Sequence, residues 1–375
     1  MKEKKFDYEK MRLEENLRRQ LFYEVARLFV KERKVHNKDI KLGVYKWAES
    51  CAPRYYNKRG KDDIQSEWVR RRLIDAIENN FILLGEFEDR DLLERLHDLI
   101  PETKKKVKLN LAPDSESLLS QACLDFDEKL VAGVKSSDAE FVVGVSGGRT
   151  VLAFSRILHE IRSNLKWHKE IPEEKKKNVV ICSLTAGGTR SNISALSDTV
   201  AANIAEELNV SQSGLLGPPS FSGGQSLNSF KSEEEVDKHI KLVKNANIIL
   251  TSVGDVRDDT SLTSQIYKIV DETHLNKIRS EHKNLGDILY QCYDGYTGIP
   301  IVPSDNIKNK ILTVITLLEL RKMVKDGKTK CIVMAKGYNK GRRALRGLIV
   351  WRMASDIHMD IECSRGLKDA GEEGQ

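Results

Sequence analysis

The segment FVVGVSGGRT, residues 141–150, joins an apolar run to a glycine turn and two side chains that bind anions. Gly147 and Gly148 follow the apolar run, and Arg149 and Thr150 lead into a stretch whose apolar spacing predicts a helix from about Val151 to Arg162. A short apolar run followed by a turn and a helix is typical of a buried strand in a parallel sheet. This segment therefore indicates an α/β fold for the part of the chain that contains it.

The same pattern recurs through the rest of the C-terminal part of the sequence. The apolar runs NVVICSL, NIILTSV and CIVMAKG each lie next to a stretch with helical spacing, such as residues 192–208. Short apolar runs that alternate with helices predict a parallel sheet with helices on both faces. We therefore predict an α/β ligand-binding domain at residues 116–365 and a frayed tail at residues 366–375.

Each predicted strand ends in a short polar loop, namely SGGRT, TAGGTRSN, GDVRDD or AKGYNKG. Loops at the carboxyl ends of parallel strands meet on one rim, where such sheets bind ligands. Glycines let backbone N–H groups approach an anion, and the N-terminus of the following helix adds partial positive charge. The predicted ligand is a small anion that carries a phosphate, although neither GxGxxG nor the Walker pattern occurs. The candidate anion-binding residues are Gly147, Gly148, Arg149, Thr150, Gly188, Thr189, Arg190 and Lys340.

Three carboxylates accompany these loops. Asp287 and Asp294 lie in LGDILYQCYDGYTGIP, where each can accept hydrogen bonds from sugar hydroxyls or form a turn; Asp294 precedes Gly295, which favours the turn. Asp255 and Asp287 are candidate effector-binding residues, and they are the candidates for a general base if the site is catalytic. The sequence contains no Ser-His-Asp order, no HExxH and no metal-spaced His/Cys cluster, so we predict no catalytic triad, no metal site and no cofactor.

The N-terminal part of the chain carries the net positive charge. Residues 1–112 contain 27 Lys and Arg against 21 Asp and Glu, and this excess of six equals that of the whole protein. Three stretches with helical spacing precede a short apolar strand, which suggests a winged helix-turn-helix domain at residues 1–100, and the proline- and lysine-rich residues 101–115 suggest a linker. A basic excess at one end is typical of a nucleic-acid-binding domain attached to a neutral ligand domain.

Taken in order, these motifs resemble the SorC/DeoR-type sugar-binding transcriptional regulators. The matching stretches are the GGRT loop, GDILYQCYDGYTGIPI and AKGYNKGRRALRGLI, and the resemblance covers most of residues 115–350. It implies a Rossmann-like effector domain, related to ribose-phosphate isomerases and glucosamine-phosphate deaminases, that binds a phosphorylated sugar. The phosphate would then lie on residues 147–150 with Arg190 and Lys340 as cationic partners, and Asp287 would face the sugar hydroxyls. This chain carries Arg149 at a position of the phosphate loop where many members of the family have a small or hydroxyl residue.

The resemblance extends more loosely to residues 35–85, where QSEWVRRRLIDAIENNFILLG is similar to the family's recognition helix and wing. The connection that precedes it is much longer than the family's tight turn. The resemblance implies binding to a double-stranded DNA operator, and assembly as a homodimer or homotetramer. The candidate DNA-binding residues are Lys58, Arg59, Arg70, Arg71 and Arg72.

We therefore predict a DNA-binding transcriptional regulator that responds to a phosphorylated sugar or a related small anion and is not an enzyme. Two alternatives remain: a sugar-phosphate isomerase or deaminase-like enzyme, and a small-anion sensor whose N-terminal helices bind a protein partner. No apolar run reaches the roughly 20 residues of a membrane span, and the N-terminus is charged throughout, so we predict a cytoplasmic protein without membrane contact. The six scattered cysteines are predicted to be ordinary buried thiols.

Overall fold

The computed structural model describes residues 86–104, 106–112, 114–187, 195–218 and 220–373. The chain divides into two units between Phe87 and Glu88. The helices and strands described below belong to the second unit, except that the first helix begins two residues earlier, within the first unit. The winged helix-turn-helix predicted for the N-terminal part therefore lies, up to residue 85, outside the described residues. Within these residues, no helix has both the length and the apolar composition that a bilayer span requires.

Strands alternate with helices along the described chain, as predicted. The strands are β1 (Lys108–Ala112), β2 (Phe141–Val145), β3 (Val179–Ser183), β4 (Ser211–Ser213), β5 (Ile248–Ser252), β6 (Gly254–Asp255), β7 (Leu285–Ile288), β8 (Gln291–Asp294), β9 (Lys330–Ala335) and β10 (Asp356–Asp360). The helices are α1 (Glu86–Leu99), α2 (Ser115–Ser136), α3 (Arg149–Glu160), α4 (Lys166–Glu170), α5 (Glu173–Lys176), α6 (Ser197–Leu208), α7 (Gly224–Ser232), α8 (Glu234–Val243), α9 (Leu262–Glu281), α10 (Asp305–Lys310), α11 (Leu317–Lys325), α12 (Tyr338–Lys340), α13 (Arg346–Val350) and α14 (Ile361–Glu372). A π-helical turn, Gly341–Leu345, joins α12 to α13.

Seven parallel strands form the central sheet in the order β1-β10-β9-β5-β2-β3-β4. This arrangement confirms the predicted Rossmann-like α/β fold. From β2 the chain proceeds to β3 and β4 on one side, whereas β5 and β9 lie on the other side, so the strand order reverses between β2 and β5. In open α/β sheets, the crevice at such a reversal is the usual ligand site.

Helices cover both faces of this sheet and enclose two large apolar cores. Successive side chains of a strand point to opposite faces, so Val142 packs in one core while Val143 and Val145 pack in the other. All five residues of β2 are buried. Burial on both faces explains why the strand consists of a continuous apolar run and shows no alternation with polar residues. The cysteines of the described residues are buried and unpaired, as predicted.

A small antiparallel sheet, β6-β7-β8, lies beside the carboxyl end of β5. Helices α9 and α10 contribute Ile266, Tyr267 and Ile307 to a third apolar core beneath it. The pairing sets Gly254 opposite Asp287, and a Cβ atom at Gly254 would come within 1.9 Å of the Asp287 Oδ1 atom. Glycine at this position therefore lets the Asp287 carboxylate lie directly against the neighbouring strand.

Two predicted boundaries require correction. The segment predicted as a linker, residues 101–115, contains β1, which pairs with β10 in the register Lys108 to Asp356 and forms an edge of the central sheet. The sequence did not indicate this strand, because a strand at the edge of the sheet can carry polar side chains, such as that of Lys108, in place of a continuous apolar run. Upstream of it, Leu96 and Ile100, which the prediction assigned to the N-terminal domain, pack in the main apolar core, so this unit begins near residue 88.

The predicted tail at residues 366–375 is also corrected, because residues 361–372 form helix α14. Gly366, Leu367 and Ala370 are buried in this helix. A Cβ atom at Gly366 would lie 2.1 Å from the carbonyl oxygen of Tyr338, so glycine is what allows α14 to pack against α12. The small residues of this segment therefore serve close helix packing.

Candidate functional site

A cavity of about 310 Å³ lies at the carboxyl ends of β2, β5 and β9, where the strand order reverses. The loop after each of these strands contributes to its wall, as does the small antiparallel sheet through β6 and β7. Loops predicted from widely separated parts of the sequence therefore meet around one space. The predicted site residues that line it are Gly147, Gly148, Arg149, Thr150, Asp255, Asp287 and Lys340.

One wall of the cavity is the first turn of α3. Its N-cap, Gly148, has a φ of 115° and no side chain to cap the helix, and its N–H donates to the carbonyl oxygen of Ala195 at 2.7 Å. Gly147 packs so closely that a Cβ atom would lie 2.7 Å from that same carbonyl oxygen. Glycines at both positions therefore leave the N-terminus of a 12-residue helix uncapped and facing the cavity. Such a terminus binds anions through its free N–H groups and its partial positive charge.

Of the residues that the structure describes, three cationic side chains line the cavity: Arg149, Lys336 and Lys340. Arg149 is exposed, and its Nη2 atom donates to the Thr260 Oγ1 atom at 2.9 Å, which draws the guanidinium toward the loop after β6. Burial lowers the pKa of Lys340, and the charge of Asp287 opposes this change. The two lysines lie on either side of Gly337 in the chain. The N–H of Gly337 donates to the carboxylate of Asp360, the residue that caps α14. This contact fixes the loop that carries both ammonium groups.

Asp287 lies in the part of the lining formed by β7 and is only 8% exposed. Its Oδ2 atom accepts a hydrogen bond from the Thr263 hydroxyl at 2.6 Å, whereas Oδ1 has no partner among the described residues. Burial raises the pKa of Asp287 to about 6, although the hydrogen bond from Thr263 and the charge of Lys340 act in the opposite direction. Asp287 belongs to the lining of the cavity, so its carboxylate is a candidate acceptor for a ligand hydroxyl, whereas Oδ1 itself lies buried against Gly254 of β6.

Asp255 lies in the same wall but differs from Asp287, because both of its oxygens are occupied. Oδ1 accepts the N–H of Arg257 at 2.9 Å, and Oδ2 lies 3.1 Å from the Arg343 Nη1 atom. This buried carboxylate therefore holds the loop after β6 against the π-helical turn, and Asp287 is the better placed of the two predicted candidates for a general base. Asp294 forms a turn, as its neighbour Gly295 suggested: its Oδ1 atom accepts the N–H groups of Tyr296 and Thr297.

Sequence reasoning identified the loops but did not select several of the polar residues in them. Lys336 and Asp258 line the cavity within AKGYNKG and GDVRDD, and Thr260 lies just beyond the second of these loops. Arg343 lies in the next helical segment, where only the pairing with Asp255 gives it a function. The available signal was the polar composition of the loops, which does not show which side chains turn toward the cavity.

The remaining predicted site residues lie outside the described residues. These are Gly188, Thr189 and Arg190 of the predicted anion site, and Lys58, Arg59, Arg70, Arg71 and Arg72 of the predicted DNA contact. Among the residues that the structure does describe, no group of three or more His, Cys, Asp or Glu side chains is arranged to hold a metal ion.

Comparison with known proteins identifies the domain that contains the cavity. The family model described as "Putative sugar-binding domain" matches residues 119–340, which include every lining residue named above. No curated protein matches the chain in sequence.

Solved structures share the fold at low sequence identity. The full-length sorbitol operon regulator SorC from Klebsiella pneumoniae is 15% identical with a TM-score of 0.56, over 93% of this chain and 98% of that one. A transcriptional regulator from Streptococcus pneumoniae TIGR4 is 12% identical with a TM-score of 0.57, over 76% and 98% of the two chains. A DeoR family transcriptional regulator from Listeria monocytogenes is 14% identical with a TM-score of 0.51, over 72% and 98%.

Proposed function

This chain belongs to the sugar-binding domain family, and from that premise we propose that it is a DNA-binding transcriptional regulator whose effector is a phosphorylated sugar. The structures that share its fold are described as transcriptional regulators, and one of them is a full-length operon regulator that spans 93% of this chain. The basic excess of residues 1–112 supports a nucleic-acid partner for the N-terminal part. Regulators of this kind bind paired half-sites, so a homodimer or homotetramer is part of the proposal.

The observation that carries the proposal is that anion-binding groups and a buried carboxylate line one cavity. The uncapped N-terminus of α3, Arg149 and Lys340 provide N–H groups and positive charge for a phosphate. Asp287 provides a carboxylate that can accept a hydrogen bond from a hydroxyl. A sugar phosphate carries both an anion and hydroxyl groups, and so one small molecule matches both kinds of group.

Control of transcription then requires that the sugar phosphate bind two arrangements of the regulator with different affinities. The ligand contacts loops from the central sheet and residues of the small antiparallel sheet at the same time. Binding therefore favours whichever arrangement brings these two walls to the correct separation. A shift between arrangements with different operator affinities gives the regulatory response.

A test combines ligand binding with DNA binding. Inorganic phosphate, pentose and hexose phosphates and the corresponding unphosphorylated sugars are screened for thermal stabilisation of the full chain. A duplex selected by the protein from a random pool then reports DNA binding by fluorescence anisotropy, with and without the stabilising compound. We expect stabilisation by one or more sugar phosphates but not by their unphosphorylated forms, and a change in duplex affinity when that compound is present.

Variants of the two cations make the test specific to the cavity. We expect Arg149→Ala and Lys340→Ala to weaken the response to the sugar phosphate by about tenfold or more, the size of a lost charge-assisted hydrogen bond, with DNA binding unchanged. Arg365→Ala and Lys368→Ala are matched controls, because these cations pair with Glu362 and Glu372 on α14, away from the cavity. An undiminished response in the cavity variants would refute the site. Absence of salt-dependent duplex binding would instead favour a protein partner for the N-terminal part.

An enzyme that isomerises or deaminates sugar phosphates is the second candidate, and the state of Asp287 favours it. A carboxyl group with a pKa of about 6 in the lining of a cavity has the properties of a general acid or base. Incubation of the pure protein with pentose and hexosamine phosphates, followed by NMR, decides between the two. Turnover that Asp287→Asn abolishes would support the enzyme, and an unchanged substrate spectrum would leave the regulator as the function.

A further inference from the structure

Among the described residues, the charges that line the cavity almost cancel. Arg149, Lys336 and Lys340 contribute three positive charges, and the lining also contains the carboxylates of Asp255, Asp258 and Asp287. Asp255 pairs with Arg343, so its charge is already neutralised from outside the lining. The other two carboxylates face the same space as the three cations. The positive charge available to a ligand is therefore much smaller than the number of cations suggests.

Asp258 is the less expected of these two carboxylates. Its Oδ1 atom accepts the N–H of Thr260 at 2.8 Å and the Thr260 hydroxyl at 2.7 Å, and no described residue bonds to Oδ2. Burial acts to raise the pKa of Asp258, but the hydrogen bonds from Thr260 and the charges of Arg149 and Lys340 lower it on balance. The side chain is therefore a fixed negative charge, half-buried at the cavity and close enough to two of its cations to interact with them.

We infer that the cavity takes a sugar with a single phosphate and that Asp258 excludes sugar bisphosphates, an inference that rests on the function proposed above. One phosphate occupies the uncapped N-terminus of α3, where N–H groups and Arg149 surround it. Asp258, which hydrogen bonds through Thr260 link to Arg149, and Asp287 belong to the same lining and lie close to a bound ligand. Sugar hydroxyls can donate hydrogen bonds to these carboxylates, whereas a second phosphate would place like charges together in a partly desolvated space.

The chain offers an isosteric test of this specificity. Asp258→Asn keeps a carbonyl oxygen for the two Thr260 donors, and so preserves the loop that holds Arg149, while it removes the negative charge. Asp259→Asn is the matched control, because this substitution changes the net charge by the same amount. The Asp259 carboxylate is exposed and pairs with Arg279 outside the cavity. The probes are fructose 6-phosphate with fructose 1,6-bisphosphate, and ribulose 5-phosphate with ribulose 1,5-bisphosphate, titrated calorimetrically into the full chain.

We expect the unmodified protein to prefer the monophosphate of whichever pair it binds. Asp258→Asn should reduce that preference by about tenfold, the effect of one partly screened unit charge at short range, and Asp259→Asn should leave it unchanged. Two results would overturn the inference and leave the sugar-phosphate site intact. One is an equal preference in the unmodified protein and in Asp258→Asn, and the other is an unmodified protein that binds a bisphosphate more tightly than its monophosphate. If no phosphorylated sugar binds any variant, the proposed function fails, and this specificity fails with it.

Discussion

The buried carboxylate of Asp287 should make the ligand-free protein less stable at neutral pH than it would be with an amide at that position. Burial raises the pKa of Asp287 from 3.8 to about 6. The unfolded chain ionises near the lower value, so above pH 6 the folded state holds a charge that it disfavours by about 3 kcal/mol, at 1.36 kcal/mol for each pKa unit. Between pH 6 and about pH 4, the folded state binds the proton first, so stability rises as the pH falls.

The substitution Asp287→Asn removes this penalty and keeps an oxygen that can accept the Thr263 hydroxyl. An amide N–H₂ then replaces Oδ1, which has no partner among the described residues, at a cost of about 1 kcal/mol. At pH 7.5 we expect the variant to be more stable than the unmodified protein by about 2 kcal/mol. At pH 4.5 the folded carboxyl is protonated and only about 1 kcal/mol of the penalty remains, so the two proteins should be about equally stable.

Urea unfolding followed by circular dichroism at both pH values measures the difference. Asp259→Asn is the control: its side chain is 80% exposed, and we expect a change within about 0.5 kcal/mol at either pH. A variant at Asp287 that is destabilised at pH 7.5, or whose advantage is the same at both pH values, would refute the reasoning. Asp287→Asn should also lose affinity for a sugar phosphate, because we propose that the carboxylate of Asp287 serves the ligand and is kept at a cost in stability.

Two further substitutions test the packing beneath the loops. Gly147→Ala should lower the free energy of unfolding by about 1–3 kcal/mol, because its Cβ would lie 2.7 Å from the backbone oxygen of Ala195; Gly223→Ala, whose Cβ meets nothing within 4 Å, is the control, and equal melting temperatures would contradict the prediction. Ser197→Ala should cost about 1–3 kcal/mol in urea unfolding, because the fully buried hydroxyl donates to the Val145 carbonyl at 2.6 Å and accepts the N–H of Leu184 at 2.9 Å; a change below about 0.5 kcal/mol would show that these bonds contribute little.

The strands that could be predicted from the sequence are those whose buried side chains are apolar. β2, β3, β5 and β9 are apolar runs because both cores require apolar side chains from them. β10 was not predicted, since it has the sequence DIHMD, and yet all five of its residues are buried. Its polar side chains are paired: His358 contacts Asp125 of α2 at 3.1 Å, and Asp356 lies 3.1 Å from Lys129 of the same helix. Partners that lie more than 220 positions away in the chain left no local pattern to detect.

The candidate site shows the same division. The glycine loops after β2 and β9 could be predicted because a tight turn and an open helix N-terminus restrict which residues can stand there. The roles of the acidic residues could not be predicted, because the local sequence around Asp255, Asp258 or Asp287 does not show which groups surround its carboxylate in space. Arg343 neutralises the first, Thr260 fixes the second as a charge, and burial leaves the third with a free oxygen and a raised pKa.

By itself, the sequence determined the parallel α/β sheet, the glycine loop FVVGVSGGRT at its centre and the resemblance to sugar-binding regulators, because each of these follows from residues that are neighbours in the chain. The tertiary structure alone decided that β1 completes the sheet, that 366–372 is helical, and which charges share the cavity. Hydrogen bonding, burial and charge pairing depend on distance in space, and chain order does not fix that distance until the sheet has formed.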